Sequence, residues 1–213
     1  MSHMKRHEVP KNWPIPRKGT AFVVKPLSGK VPVLIVLRNF LKIAQNRKEV
    51  KRAIHLKEIL VNNKPVVDEK KGLELLDTIT IVPAKKSYRL ELSGKGKFEI
   101  NEIKESEANN KIAKIVDKKT IKGKKTQLNL SDGMNFLSEV KCKVNDSVLI
   151  NFKEKKIEKC LPMNEKAKVI VFAGKHAGKK GTIDKIKEER KMAKLNSDGK
   201  EINVLIKQLM VVA

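Results

Sequence analysis

Between Asn46 and Val67 the chain reads NRKEVKRAIHLKEILVNNKPVV, and this stretch restricts the fold more than any other. Asn46 is a strong helix-capping residue and Glu49, three positions on, comes close to a capping box, so a helix begins here. At about 100° per residue, Arg47, Lys48, Lys51, Arg52 and His55 share an arc of roughly 140°, while Val50, Ala53 and Ile54 take the other side. One side packs and the other is cationic. Residues 59–61 and 64–67 then flank Asn62 and Asn63, both tolerant of positive φ, which predicts a tight hairpin. Thr78 to Ile81 alternate as a further strand. Upstream, Pro32 to Gln45 reads as a first helix, with Val33, Leu37, Phe40, Leu41 and Ala44 on one side and Arg38 and Lys42 on another.

A cationic helix face asks whether the whole chain is built the same way. Lys and Arg number 48 against 24 Asp and Glu among 213 residues, a formal charge of +24 and a pI near 10.0, which points to a polyanionic partner. The first 52 residues carry thirteen Lys/Arg against only Glu8 and Glu49, and so supply +11 of that charge. Aromatics make up 4% of the chain, a poor supply for a base-stacking platform. Only seven of the cations are arginine, and lysine lacks the fork that reads guanine edges, so backbone contact to a folded RNA is expected over sequence readout.

The flanking segments read as follows. Residues 1–30 mix Pro10, Pro14, Pro16, Pro26, Gly19 and Gly29 with charge, which predicts a basic extended arm; Lys5, Arg6, Lys11, Arg17 and Lys18 are its RNA-binding candidates, and Trp13 is expected to pack. Residues 31–85 form the helix-and-hairpin domain. Residues 86–165 read as a mostly β middle domain: strand-like runs at 88–92, 97–103, 112–116, 127–130 and 144–150 are broken by turn residues, and the acidic stretch EINEIKESEA holds one helical turn. Residues 166–213 supply strands at 169–172 and 182–187 and in INVLIKQLMVV, enough for a small barrel.

Several chemistries are excluded or weakened on spacing. In AGKHAGKKGT, three residues rather than four separate Gly174 from Gly178, Lys179 is followed by Lys180, and a strand follows where a triphosphate site needs a helix N-terminus. GKGKF is likewise followed by a strand and makes a weak dinucleotide signal. Cys142, Cys160 and the four histidines show no metal-ligand spacing, no catalytic triad or carboxylate pair is evident, and the longest apolar run, Val31 to Leu37, is far too short to span a bilayer. No cofactor, no metal, no membrane role and a reducing, cytoplasmic setting are expected.

Two resemblances, and then their order, sharpen this reading. RKEVKRAIHLKEILVNNKPVVDEKKGLELLDTITI resembles the small RNA-binding domain shared by the bacterial-type ribosomal protein S4, some pseudouridine synthases and tyrosyl-tRNA synthetases. That resemblance implies RNA contacts at Arg47, Lys48, Lys51, Arg52, Lys57, Asn63 and Lys64. KVIVFAGKHAGKKGTIDKI is similar to the KOW motif of ribosomal proteins and transcription elongation factors; its glycines let backbone approach RNA while Lys175, His176, Lys179 and Lys180 face phosphates. The succession of a MKRHEVPKNW arm, the domain ending LELLDTITI, a middle YRLELSGKGKFEINEI and the terminal hairpin resembles the archaeal and eukaryotic small-subunit ribosomal protein S4e family, in its archaeal version, over nearly the whole chain. The resemblance implies a multidomain α+β protein: an arm, an S4-like RNA-binding domain, a mostly β middle domain and a C-terminal SH3-like KOW β-barrel. It implies a non-catalytic ribosomal constituent that binds small-subunit rRNA beside neighbouring ribosomal proteins in the cytoplasm. Two alternatives stay open: an RNA-modifying enzyme of pseudouridine-synthase type, whose arginine-leucine-aspartate catalytic sequence is missing here, and a KOW-type transcription factor.

Overall fold

The computed structural model describes residues 3–121, 125–138, 140–187, 190–197 and 199–212. The chain is multidomain and mostly β with few helices, and it divides into two compact units: residues 1–92 with 97–109, and residues 93–96 with 110–213. None of the described helices is long and apolar enough to cross a membrane.

The first unit opens with β1 (His3–Lys5) and β2 (Phe22–Val24), paired antiparallel around a proline-rich loop. This arm is more ordered than its proline and glycine content predicts, and Arg6 is the reason. Its guanidinium donates to the Pro16 carbonyl at 2.8 Å, to the Thr20 carbonyl at 2.5 Å and to Thr20 Oγ1 at 2.7 Å. Carbonyls that a strand partner would otherwise satisfy are therefore held by one side chain. Trp13 packs as expected, 4% exposed.

β3 (Val31–Pro32) leads into α1 (Val33–Ile35) and a π-helical turn, Val36–Phe40. The expected helix to Gln45 is thus cut short. Every residue from Val31 to Leu37 is buried, so this segment has no polar face, and Leu41 N–H reaches back to the Val36 carbonyl at 3.0 Å. Lys42 then takes φ +53 and turns the chain away, with Ile43 N–H donating to the Leu37 carbonyl at 3.1 Å.

α2 (Arg47–His55) follows where its cap predicts: Asn46 Oδ1 accepts from Glu49 N–H at 3.1 Å, and Val50 and Ile54 are buried. The hairpin is also as read, with β4 (Ile59–Val61) and β5 (Lys64–Pro65) joined by Asn62 and Asn63 at φ +50 and +60. Asn62 fixes that turn further by donating to Asp77 Oδ1 at 2.8 Å and accepting from Thr78 N–H at 3.0 Å. β6 (Gly72–Leu73) pairs with β3, while β7 (Thr78–Ile81), β8 (Lys86–Leu92) and β9 (Phe98–Ile103) complete an antiparallel sheet ordered β5-β4-β7-β8-β9. Residues 86–103, expected in the middle domain, therefore extend the first domain's sheet. The short connection after Ile81 favours this: Thr78–Ile81 meets Lys86–Arg89 as its antiparallel neighbour. The acidic stretch supplies its helical turn as α3 (Glu105–Ala108).

The second unit holds two five-stranded antiparallel sheets. β10 (Asn110–Thr120), β11 (Thr126–Leu130), β12 (Asn135–Ser138), β13 (Ser147–Asn151) and β14 (Lys156–Leu161) run in the order β12-β11-β10-β13-β14. β10 serves two partners: Asn110 to Lys114 pair with β13, and Ile115 to Thr120 pair with β11 across an irregularity between Ile115 and Asp117. Ala113, Ile115, Leu128, Val148 and Ile150 form its core. The second sheet, β18-β17-β16-β15-β19, comprises β15 (Lys168–Val171), β16 (Lys180–Lys187), β17 (Met192–Ser197), β18 (Lys200–Leu205) and, after a 3-10 turn at Ile206–Gln208, β19 (Leu209–Val211). Val169, Val171, Ile183, Leu195 and Leu209 pack inside it.

Two lysines of β10 face inward. Lys111 Nζ meets Asp132 Oδ2 at 2.6 Å with both side chains buried. Lys114 Nζ donates to the Ile206 carbonyl, and burial pulls its pKa down to about 8.

Candidate nucleic-acid interface

The eighteen candidate residues fall into three groups, and packing treats their charges differently. On α2, Lys48, Lys51, Arg52 and His55 are exposed, and Lys48, Lys51 and Arg52 form no ion pair among the described residues. Burial of Val50 and Ile54 on the other side fixes their direction. Lys57, at φ +56, ends the helix and is exposed, as are Lys64 on β5 and Lys42. Arg38 is half-buried and donates from Nε to Asn39 Oδ1 at 3.1 Å.

Two members of this group have structural work. Arg47 donates from Nε to Glu69 Oε1 at 2.7 Å and pairs with the same oxygen through Nη2, while the Glu69 side chain is only 3% exposed. The hydrogen bond to Glu69 raises the Arg47 pKa. Glu69 Oε2 is buried without a hydrogen-bond partner among the described residues, so Arg47 is the neutralising partner of a buried carboxylate. Asn63 donates its side-chain amide to Asn109. A cavity of about 260 Å³ beside α2 is lined by Arg47, Lys51, His55, Asp68, Glu69 and Lys70. Sequence reasoning missed Lys70 and Glu69; the signal available was the acidic pair in VVDEKK, which a surface solvated for charge alone does not require.

In the arm, Lys5, Lys11 and Lys18 are exposed, whereas Arg6 holds the loop and Arg17 donates to the Val9 carbonyl at 3.3 Å. Lys5, Arg6, Arg17 and Lys18 come together around a cavity of about 500 Å³; Lys11 is not in its lining.

The glycine-hinged loop lies between β15 and β16. Val171 N–H donates to the Lys179 carbonyl at 2.9 Å and Gly178 N–H to the Val171 carbonyl at 2.7 Å, which closes the loop on itself. Lys175 and Lys180 are exposed, and His176 and Lys179 are half-buried. Gly174 and Gly178 sit at φ +87 and +89, and a Cβ on Gly178 would lie 1.8 Å from the Ser93 carbonyl oxygen. No L side chain fits there without moving backbone. Gly178→Ala is therefore expected to cost more than about 2 kcal/mol, read as a lower urea midpoint with an unchanged slope. An unchanged midpoint would mean that the loop does not hold this conformation.

Chemically, these groups are lysine-dominated cations, a composition able to neutralise an extended anion. Among the described residues no group of three or more His, Cys, Asp and Glu side chains is placed to hold a metal ion.

The chain matches known proteins over most of its length. The model of the ribosomal family S4e matches residues 84–157, and that of the RS4NT (NUC023) domain matches residues 2–29. The chain is similar to the small ribosomal subunit protein eS4 of Methanocella arvoryzae, 35% identical over 198 residues that span 90% of this chain and 84% of that protein. It is also similar to eS4 of Archaeoglobus fulgidus, 37% identical over 196 residues, 90% of this chain and 83% of the other. The crystal structure of the 30S ribosomal protein S4e from Thermoplasma acidophilum superposes with a TM-score of 0.73 at 25% identity, covering 86% of this chain and 94% of that one.

Proposed function

This chain belongs to the ribosomal protein family S4e, and on that premise we propose that it is a structural constituent of the small ribosomal subunit that grips folded small-subunit rRNA through three sets of cations. The α2 face carries the reading: Lys48, Lys51 and Arg52 stand on one exposed side of a capped helix whose other side is buried, and no carboxylate neutralises them among the described residues. Lysine there neutralises phosphate without reading base edges, as expected for a protein that recognises RNA shape. Lys5, Lys11 and Lys18 of the arm and Lys175 and Lys180 of the loop extend the same chemistry. The C-terminal sheet, ordered β18-β17-β16-β15-β19 with a 3-10 turn before its last strand, supports reading the loop as a KOW hairpin on an SH3-like barrel. The role needs no chemistry on the RNA, and its setting is the cytoplasmic ribosome beside other small-subunit proteins. Neither the modifying-enzyme nor the transcription-factor alternative finds support in the named relatives.

The test is the salt dependence of binding by the full chain to folded small-subunit rRNA. With roughly six phosphates neutralised, log affinity should fall against log salt with a slope near −5. A flat response overturns the reading.

A further inference from the structure

The arm leaves more than half of one large aromatic ring exposed. Phe22 lies on β2 next to buried Val23, so strand alternation sends it to the opposite face, where it is 58% exposed. Across the ribbon it stands in register with Lys5, and the His3 ring meets it edge-on, centroids 4.7 Å apart at 72°. The same ring helps to line the cavity of about 500 Å³ that Lys5, Arg17 and Lys18 surround. No carboxylate enters that lining. By contrast, the cavity beside α2 includes Asp68 and Glu69, and one on the C-terminal sheet includes Asp184 and Glu201.

We propose that the β1–β2 ribbon is a one-nucleotide clamp in which an unstacked rRNA base lies on the Phe22 ring while Lys5 and Lys18 hold its flanking phosphates. The proposal rests on the rRNA-binding reading above and adds a stacking contact to a surface otherwise made of point charges. An apolar knob from a protein would cover Phe22 but leave Lys5, Arg17 and Lys18 without a counter-charge. A nucleotide supplies a π face and an anion together, and a base within a helix has no free face to offer, so the target is a looped or bulged position.

Ultraviolet crosslinking of the wild-type full chain to folded small-subunit rRNA, followed by peptide mapping, should place a nucleotide on the peptide that contains Phe22. Phe22→Ala and Phe22→Leu should each weaken binding about 5- to 150-fold, as loss of one stacked base does. Because no cation is removed, the salt slope should stay as in the wild type, whereas Lys18→Gln should flatten it by about one. Phe22→Trp keeps a ring and should bind within about twofold of the wild type; it also guards against a folding defect in the smaller variants. If the wild type binds with a steep salt slope but the Ala and Leu variants bind equally well and no crosslink maps to this peptide, the clamp is wrong and the rRNA reading stands. If naked rRNA binding is unchanged while incorporation into small subunits is lost, a protein neighbour covers Phe22 and the clamp is likewise overturned. A flat salt response in the wild type removes both readings.

Discussion

Replacing Lys48, Lys51 and Arg52 together by glutamine is expected to lower affinity for folded small-subunit rRNA about 500-fold at about 0.1 M salt, while leaving the urea midpoint of the protein unchanged. Each phosphate contact releases counterions worth a slope near 0.9 on the log salt scale, so at about 0.1 M three contacts amount to roughly 2.7 decades. The salt slope should flatten by about three in the same experiment, which separates lost ion contacts from a general loss of fit. All three side chains are exposed and have no ionic partner among the described residues, so glutamine costs the fold little. Arg47 is left in place deliberately. It faces Glu69, whose carboxylate is buried, and its loss would mix a folding defect with a binding one. Unchanged affinity in the folded triple variant would show that α2 is not a surface that grips RNA.

The special place of Arg47 was legible in the sequence, though only by angle and not by charge. At about 100° per residue it lies roughly 20° from Ile54, at the margin of the cationic arc, while Lys48, Lys51 and His55 lie well inside it. Local signals with a strong steric basis were equally readable: the Asn46 cap, the Asn62-Asn63 turn and the burial of Trp13. Element boundaries were harder to see, for a reason particular to this composition. Of the ten non-glycine residues at positive φ among those described, six are lysines: Lys42, Lys57, Lys85, Lys155, Lys166 and Lys191. Turns that glycine or asparagine usually mark are held here by a residue that looks like surface charge, which is why the first helix was expected to run past Lys42. The strand pairing of residues 86–103 with residues 59–81 was hidden by a different cause, since alternation shows that a strand exists and not which sheet receives it.

The buried lysines show how far net charge overstates the cations offered to RNA, and Lys111 gives the largest stability effect expected in the molecule. Lys111→Met should cost about 3–5 kcal/mol, because it leaves the Asp132 carboxylate buried and, among the described residues, with the Met134 N–H at 3.1 Å as the one remaining donor to its Oδ1. Adding Asp132→Asn to Lys111→Met should recover most of that loss: the amide oxygen still accepts from Met134 N–H, and the buried carboxylate charge is gone. Asp132→Asn alone takes away the buried carboxylate that the ammonium faces at 2.6 Å and should also destabilise, so a double-mutant cycle by urea denaturation should return a coupling of about 3 kcal/mol. Alternation along β10 foreshadows this placement, since Lys111, Ala113 and Ile115 share the buried face of the strand. The same variants bear on function. With the double variant folded, the salt slope for rRNA should equal that of the wild type, because Lys111 spends its charge on Asp132 and has none to give to phosphate. Additive effects in the cycle, or a flattened slope in the double variant, would place Lys111 at the surface and return its charge to the RNA-facing set.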